Sequence, residues 1–413
     1  MNRFASWLAL GVVSVACGIC RAEEWPKWLG PQGTNISKEP IAAKWPDGGP
    51  KKLWTANVGQ GFSSPIAMDG KVYVLAMQGA DDVLTALDAD SGKVLWNQSY
   101  SVRKRGEQAP QGLSKENQLP LPEATPTIDG DRIYTYGGSG DLVARQLADG
   151  KEVWKLNVLD ETGAQIITWN ESSSPLVTAK FIYVQGGKGG AVAVAVDKAT
   201  GKIAWKSEDG LGGYAAPILA TVGDTPQLII FGGTTLYGLN PETGKTLWTE
   251  PWKTQYDVNA TTPIYRDGHL FITSSYGHGC EMLTLSAAGA SKDWQGKQIG
   301  SRFQPCVLDD GKLYGNSGGR LKCISWPDGK PIWTGNDVDL GDSGSFVLDG
   351  DKLVVLSDHG MLSLVQLNSN GPKTVSQVKL FDFDNVWASP LIYKGKIFAK
   401  GKTELVALDA SGK

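Results

Sequence analysis

Residues 84–96 read "LTALDADSGKVLW". An apolar run, a carboxylate, a Ser-Gly turn and a short strand closed by tryptophan make a hairpin grammar. The same phrase returns as "VDKATGKIAW" at 196–205, "LNPETGKTLW" at 239–248 and "SWPDGKPIW" at 325–333. A repeat spaced by 40 to 50 residues points to a propeller or a solenoid and outranks any local reading of single segments.

Working outward, each unit opens on a small residue and proline. The openings are Pro65, Pro126, Pro175, Pro217, Pro263 and Pro305, then Phe346 in the place of proline, then Pro390. In "SSPIAMDGKVYVLAM", residues 63–77, Asp69-Gly70 turns one short strand into a longer one rich in β-branched and aromatic residues. The phrase at 84–96 then adds a third and a fourth strand. Four antiparallel strands per unit and eight openings predict an all-β, eight-bladed propeller.

The last unit stops at "TELVALDASGK", residues 403–413, without its Leu-Trp. An orphan strand, "KKLWTANVG" at 51–59, stands before the first unit and carries Leu53 and Trp54. The N-terminal strand is therefore expected to complete the C-terminal blade and close the ring, leaving no open sheet edge. The terminal tryptophans Trp54, Trp96, Trp154, Trp205, Trp248, Trp294 and Trp333 are read as packing between neighbouring blades. In the seventh unit, counting from Gly371 puts Val375 where tryptophan is expected.

Composition agrees with this architecture. The 413 residues are 41% hydrophobic and 20% charged, with 52 glycines and 15 tryptophans, a balance that favours short strands and turns over helices. Residues 1–22 carry Arg3, an apolar run and a small residue, Ala22, and read as a secretory signal peptide cleaved after Ala22. The mature protein is expected to be periplasmic or secreted. "SVAC" lacks the leucine usual before a lipidated cysteine, which argues against an anchor at Cys17. Removing two arginines with the signal takes the formal charge from −3 to about −5, and no basic patch invites nucleic acid. The short cluster at Arg103, Lys104 and Arg105 reads as a solvated loop. Residues 23–50 form an N-terminal arm, and 51–413 the propeller. The stretch 101–124 inserts a long loop, a candidate binding element, between the first two blades. Cys280, Cys306 and Cys323 are an odd set that provides no disulfide framework.

The repeated "ALDxxSGKxLW" phrase resembles the tryptophan-ended repeat of the pyrroloquinoline-quinone (PQQ)-like β-propeller family, which includes quinoprotein alcohol dehydrogenases and BamB-type outer-membrane assembly lipoproteins. The resemblance covers nearly all of 51–413. For the quinoproteins it implies a quinone in the central funnel, a calcium held by Glu and Asn, an Asp base and a disulfide between adjacent cysteines. This sequence has no Cys-Cys pair and is shorter than those enzymes. No cofactor is expected, and PQQ with calcium at the channel mouth is kept as the alternative.

Other motifs reduce to turns. "DADSG" at Asp88 and Asp90 resembles a calcium loop, but sister blades lack the second carboxylate. "GDSGS" at 341–345 would make Ser343 a nucleophile, yet the three histidines, His269, His278 and His359, are assigned to turns of blades five and seven. "GGKGG" at 186–190 has no hydroxyl after its lysine, and "HGC" at 278–280 offers two ligands where a structural zinc takes four. No catalytic set and no metal site are expected.

The lead-in to each first strand should line the central channel. Three residues before the proline position stand Phe62, Glu123, Ser172, Tyr214, Ala260, Arg302, Ser343 and Trp387. Gln60, Trp169, Asn170, Glu171, Asn259, Asp342 and Asn385 flank them. Phe62, Glu123, Trp169, Asn170, Glu171, Tyr214, Asn259, Arg302, Asp342 and Trp387 form the candidate ligand-binding mouth, with Glu123 and Arg302 facing each other from blades two and six. The expected function is an exported, non-catalytic, monomeric binding or scaffolding propeller for an envelope or extracellular protein. The alternatives are a quinoprotein oxidoreductase, or a module that binds a glycan or small molecule.

Overall fold

The computed structural model describes residues 23–103, 119–287 and 289–412. Residues 1–22, expected from the sequence to be a signal peptide, with Cys17 among them, and Lys104, Arg105 and most of the insertion after Trp96 lie outside the described residues.

The hairpins form where the sequence supplies residues that tolerate positive φ. Asp69 and Gly70 have φ of 50° and 75°, and Asp267/Gly268, Asp310/Gly311 and Lys394/Gly395 repeat the pattern. Two successive positive-φ residues match the right-handed twist of the strands they join. Blade one then runs Ile66–Met68, Lys71–Gln78, Asp81–Asp88 and Val94–Ser101 in antiparallel order. Eight such four-stranded sheets are present, so the protein is an eight-bladed β-propeller. Inner strands are buried on both faces, and the fourth strands alternate between exposed and half-buried residues. Blade three carries an additional ribbon in which Lys188–Ala191 pairs with Asp209–Leu211.

Blade eight consists of Leu391–Tyr393, Lys396–Lys400 and Glu404–Asp409, and its outer strand is Lys52–Asn57. Trp54 stands opposite Ala407, and Asn57 opposite Glu404. The two ends of the chain close the ring by hydrogen bonds.

Five of the seven blade-ending indoles stand tightly against a turn glycine of the next blade. A Cβ at Gly92 would lie 2.5 Å from the Trp54 ring, and Gly150, Gly201, Gly244 and Gly329 meet Trp96, Trp154, Trp205 and Trp294 in the same way. Several indole N–H groups also donate to a carbonyl of that turn: Trp54 to Ala89 at 3.2 Å, Trp154 to Lys198 at 3.2 Å and Trp205 to Pro241 at 2.9 Å.

Blade seven departs from this pattern, and the arm compensates. In the other blades the tryptophan pairs with the residue just before a β-bulge. In blade seven that register position belongs to Ser376, opposite Leu364, one residue beyond the Val375 expected from the sequence. The arm occupies the vacant place. Trp45 N–H donates to Ser376 Oγ at 3.0 Å, and its buried ring joins the core shared by blades seven and eight. Ala42 N–H donates at 2.9 Å to the carbonyl of Ala410, the turn position that takes an indole N–H elsewhere. A Cβ at Gly412 would meet Ala42 at 2.8 Å rather than an indole. Earlier in its course the arm bridges Trp25 to Ala67 of blade one and Ile36 to Leu348 of blade seven.

Candidate functional site

The lead-in segments are extended, so alternate residues face opposite sides. Phe62, Glu123, Ser172, Tyr214, Ala260, Arg302 and Trp387 converge with Ser64, Thr125, Ser174, Ala216 and Thr262 on one cavity of about 220 Å³ at the ring centre. Trp169 stands at its rim, 48% exposed. Three hydroxyls of the inner row are committed to the ring itself. Ser389 N–H donates to Ser64 Oγ at 2.8 Å, Ser64 N–H to Thr125 Oγ1 at 3.2 Å, and Thr125 N–H to Ser174 Oγ at 2.9 Å. These bonds stitch blades eight, one, two and three together.

Trp28, from the arm, lines both this cavity and a second pocket around Pro175, Pro217 and Pro263, so its indole stands between the two. Its N–H donates to Thr262 Oγ1 at 3.0 Å. Sequence reasoning missed it because it lies outside the repeat period, and nothing in the arm marks one tryptophan as central.

One wall is an aromatic arc. Phe62 stacks on Trp387 with centroids 4.4 Å apart, and Phe303 meets Trp387 at 5.1 Å. The Arg302 guanidinium lies over Phe303 at 4.7 Å and over Tyr276 at 5.5 Å, while its Nε–H donates to Tyr276 OH at 3.1 Å. Tyr256 continues the arc against Tyr276 at 4.9 Å. Contacts of this kind hold a guanidinium in one orientation. Across the cavity, Glu123 Oε1 accepts from Asn170 Nδ2 at 3.0 Å, and Asn170 adopts the left-handed φ of 76°. Through Tyr276 and Arg302 the cavity continues into a groove lined by Ser275, Gly277, Gly279, Lys297, Gly318 and Asp342.

Six of the ten candidate residues line the cavity: Phe62, Glu123, Trp169, Tyr214, Arg302 and Trp387. Glu171 and Asn259 sit one residue out of phase and are buried between blades. Glu171 Oε1 accepts from Ile167 N–H at 3.2 Å. Asn259 Nδ2 donates to the carbonyls of Gly232, Gly233 and Trp252, and its Oδ1 accepts from Ser274. Asp342 belongs to the side groove, and Asn170 touches the site through Glu123.

The remaining motifs have structural surroundings. Asp88 accepts from the backbone and hydroxyl of Ser91, which holds its carboxyl below the ordinary range, and Asp90 pairs with Lys396 at 2.7 Å. Ser343 is fully buried, and its hydroxyl meets no partner among the described residues. Its backbone N–H donates to Asp358, while His359 lies against Asp358 and Asp384. His278 packs edge-on to Trp252, and burial lowers its pKa. All three cysteines are free and buried, and burial pushes the Cys280 thiol up to about 11.

The profile of the family described as outer membrane protein assembly factor BamB matches residues 47–168 and 107–335. The chain belongs to the BamB family. The BamB of Yersinia pestis is 21% identical over 97% of this chain and 97% of its own length. That of Kangiella koreensis is 26% identical over 53% of this chain, an alignment that takes in 50% of the relative. Among solved structures, BamB from Moraxella catarrhalis superposes with a TM-score of 0.61 at 14% identity, covering 86% of this chain and 96% of that one. Quinohemoprotein alcohol dehydrogenase from Comamonas testosteroni superposes with a TM-score of 0.65 at 15% identity, covering 95% and 81%. At such identities the structural likeness concerns the fold alone.

The cavity residues do not fit a quinone–calcium centre. Calcium takes six to eight oxygen ligands. Among the described residues Glu123 is the single carboxylate lining the cavity, and the Asn259 amide is committed to backbone carbonyls and Ser274. Among the described residues no group of three or more His, Cys, Asp or Glu comes together to hold a metal ion. The three cysteines lie outside the cavity lining.

Proposed function

We propose that the protein is an exported, non-catalytic scaffolding propeller of the cell envelope that takes part in outer-membrane protein assembly. The observation that carries this reading is the match to the BamB family over most of the ring. It is supported by the full-length alignment to the Yersinia protein and by a central cavity in which the Ser64, Thr125 and Ser174 hydroxyls help hold blades together. Among the described residues no helix is long and apolar enough to cross a membrane. The apolar leader at 1–22 supports export to the periplasm, where such a scaffold would meet other envelope proteins.

The test is genetic. Deleting the gene in its own host should lower the amount of folded outer-membrane β-barrel protein, read by heat-modifiable gel mobility, and a plasmid copy should restore it. Unchanged barrel levels would overturn the assembly role. A second measurement addresses catalysis: purified protein given PQQ, calcium and alcohols or sugars should leave a dye acceptor unreduced, and reduction would refute the non-catalytic reading.

A further inference from the structure

The central cavity and the groove beside it differ in chemistry, and the difference identifies what they hold. The walls of the cavity are chiefly Trp28, Phe62, Tyr214, Val258, Phe303 and Trp387. Of its inner hydroxyls, Ser64, Thr125 and Ser174 already accept backbone N–H groups, and Thr262 accepts the Trp28 indole. These hydroxyls keep an O–H and a second lone pair, and Glu123 and Ser172 also line the cavity, but most of the lining is aromatic or aliphatic. Such a lining suits an apolar ring or branched side chain set against the aromatic arc, away from Glu123.

The groove has a different lining. It is glycine-rich, with Gly277, Gly279, Gly300 and Gly318 leaving backbone within reach, and Lys297 and Asp342 add one charge of each sign. It joins the cavity at Tyr276 and Arg302, which line both. Arg302 is braced there by two rings and by the Tyr276 hydroxyl through Nε alone. A guanidinium held in this way presents its terminal nitrogens as a preset fork for a carboxylate.

From this arrangement we infer that the mouth binds an extended peptide segment of a partner protein, with one aromatic side chain in the cavity and an adjacent acidic residue on Arg302. The apolar hole takes the knob, the trough of backbone and charge takes the polypeptide, and the guanidinium sets the register. Side-chain pockets that select alternate residues, combined with polar contacts to main chain, are a recurring mode of peptide recognition. This deepens the scaffolding role proposed above by naming the chemistry of its partner. It can fail by itself, because it concerns binding in vitro and not barrel levels in cells.

The test uses the purified mature protein and a fluorescein-labelled ten-residue peptide with a central Phe-Asp pair in a Gly-Ser-Thr background, read by anisotropy. Replacing the peptide Phe by Ala, or its Asp by Lys, should weaken binding at least tenfold. Arg302→Glu should lose the Asp peptide and favour the Lys peptide, a swap that a merely unfolded variant would not produce. Ala260→Phe, which adds bulk to the cavity and keeps Arg302, should abolish binding with the far-UV circular dichroism unchanged. Equal affinity for the Phe and Ala peptides, unimpaired binding by Ala260→Phe, or no peptide binding while cellohexaose or phenylacetate binds by calorimetry would each overturn the inference.

Discussion

Replacing Trp45 by alanine tests whether the arm serves as the missing inter-blade wedge of the ring. Trp45 is 1% exposed and belongs to the buried core that also holds Val347, Leu362 and Leu364 of blade seven and Leu405 and Ala407 of blade eight. Truncating a buried tryptophan costs about 3–5 kcal/mol. Its indole N–H meets no acceptor among the described residues, so the substitution also removes an unsatisfied donor, and the lower end, about 3 kcal/mol, is the better expectation. At an unfolding entropy of ~2.1 cal/mol/K per residue, a chain of 413 residues loses about 3 °C of melting temperature for that change. Differential scanning calorimetry reads this directly. The double variant Trp45→Ala, Ser376→Trp puts an indole back at the register position of blade seven and should recover part of the loss. Ser376→Trp alone, which collides with the arm backbone, should not stabilise. A Trp45→Ala protein that melts within 1 °C of wild type would refute the wedge reading.

Two further outcomes follow from the same coordinates. Deleting residues 52–57 removes the outer strand of blade eight and Trp54 with it. The ring should then open at that blade, and rapid cleavage near 404–409 by a low dose of trypsin or thermolysin checks this; a wild-type digestion pattern would count against closure as a source of stability. Asp82 is buried beside Asp141, receives Tyr100 OH at 3.1 Å, and burial raises its carboxyl to about 7 despite that bond. A carboxyl raised above its unfolded value binds more protons in the folded state, so its contribution is fully present below about pH 4 and is lost as the pH rises through about 7. Asp82→Asn should therefore raise the melting temperature more at pH 8 than at pH 5, and an equal shift at both would disprove the assignment.

The blades were legible because their determinants are local. The Asp-Gly turn, the β-branched strand and the Gly-Lys turn before tryptophan act within some thirty residues, and eight copies reinforce one another. The closing strand was legible for the same reason: Leu53 and Trp54 carry the phrase that residues 403–413 lack. Blade seven was misregistered by one residue because its fourth strand follows the tight Asn368–Gly371 turn, and the pairing shift between Leu364 and Val365 brings Ser376 rather than Val375 to the tryptophan position.

The site was legible only where strand alternation could be counted. Phe62, Glu123, Tyr214, Arg302 and Trp387 reach the cavity because they share one phase of the lead-in, and Glu171 and Asn259 turn away because they occupy the other. Trp28 could not be found this way, since the arm has no period from which to extrapolate. Its placement nonetheless has a cause that connects the ends of the structure. The arm that wedges the seam of blades seven and eight through Ala42 and Trp45 is the same segment that brings Trp28 to Thr262 at the centre. A ring short of one tryptophan thus gains both a seal and a cavity wall from a single stretch of chain, and loss of the seal should be felt in the cavity. Trp45→Ala is accordingly expected to weaken peptide binding at the mouth although it does not line it, whereas unchanged affinity in that variant would mean that the two ends of the arm act independently.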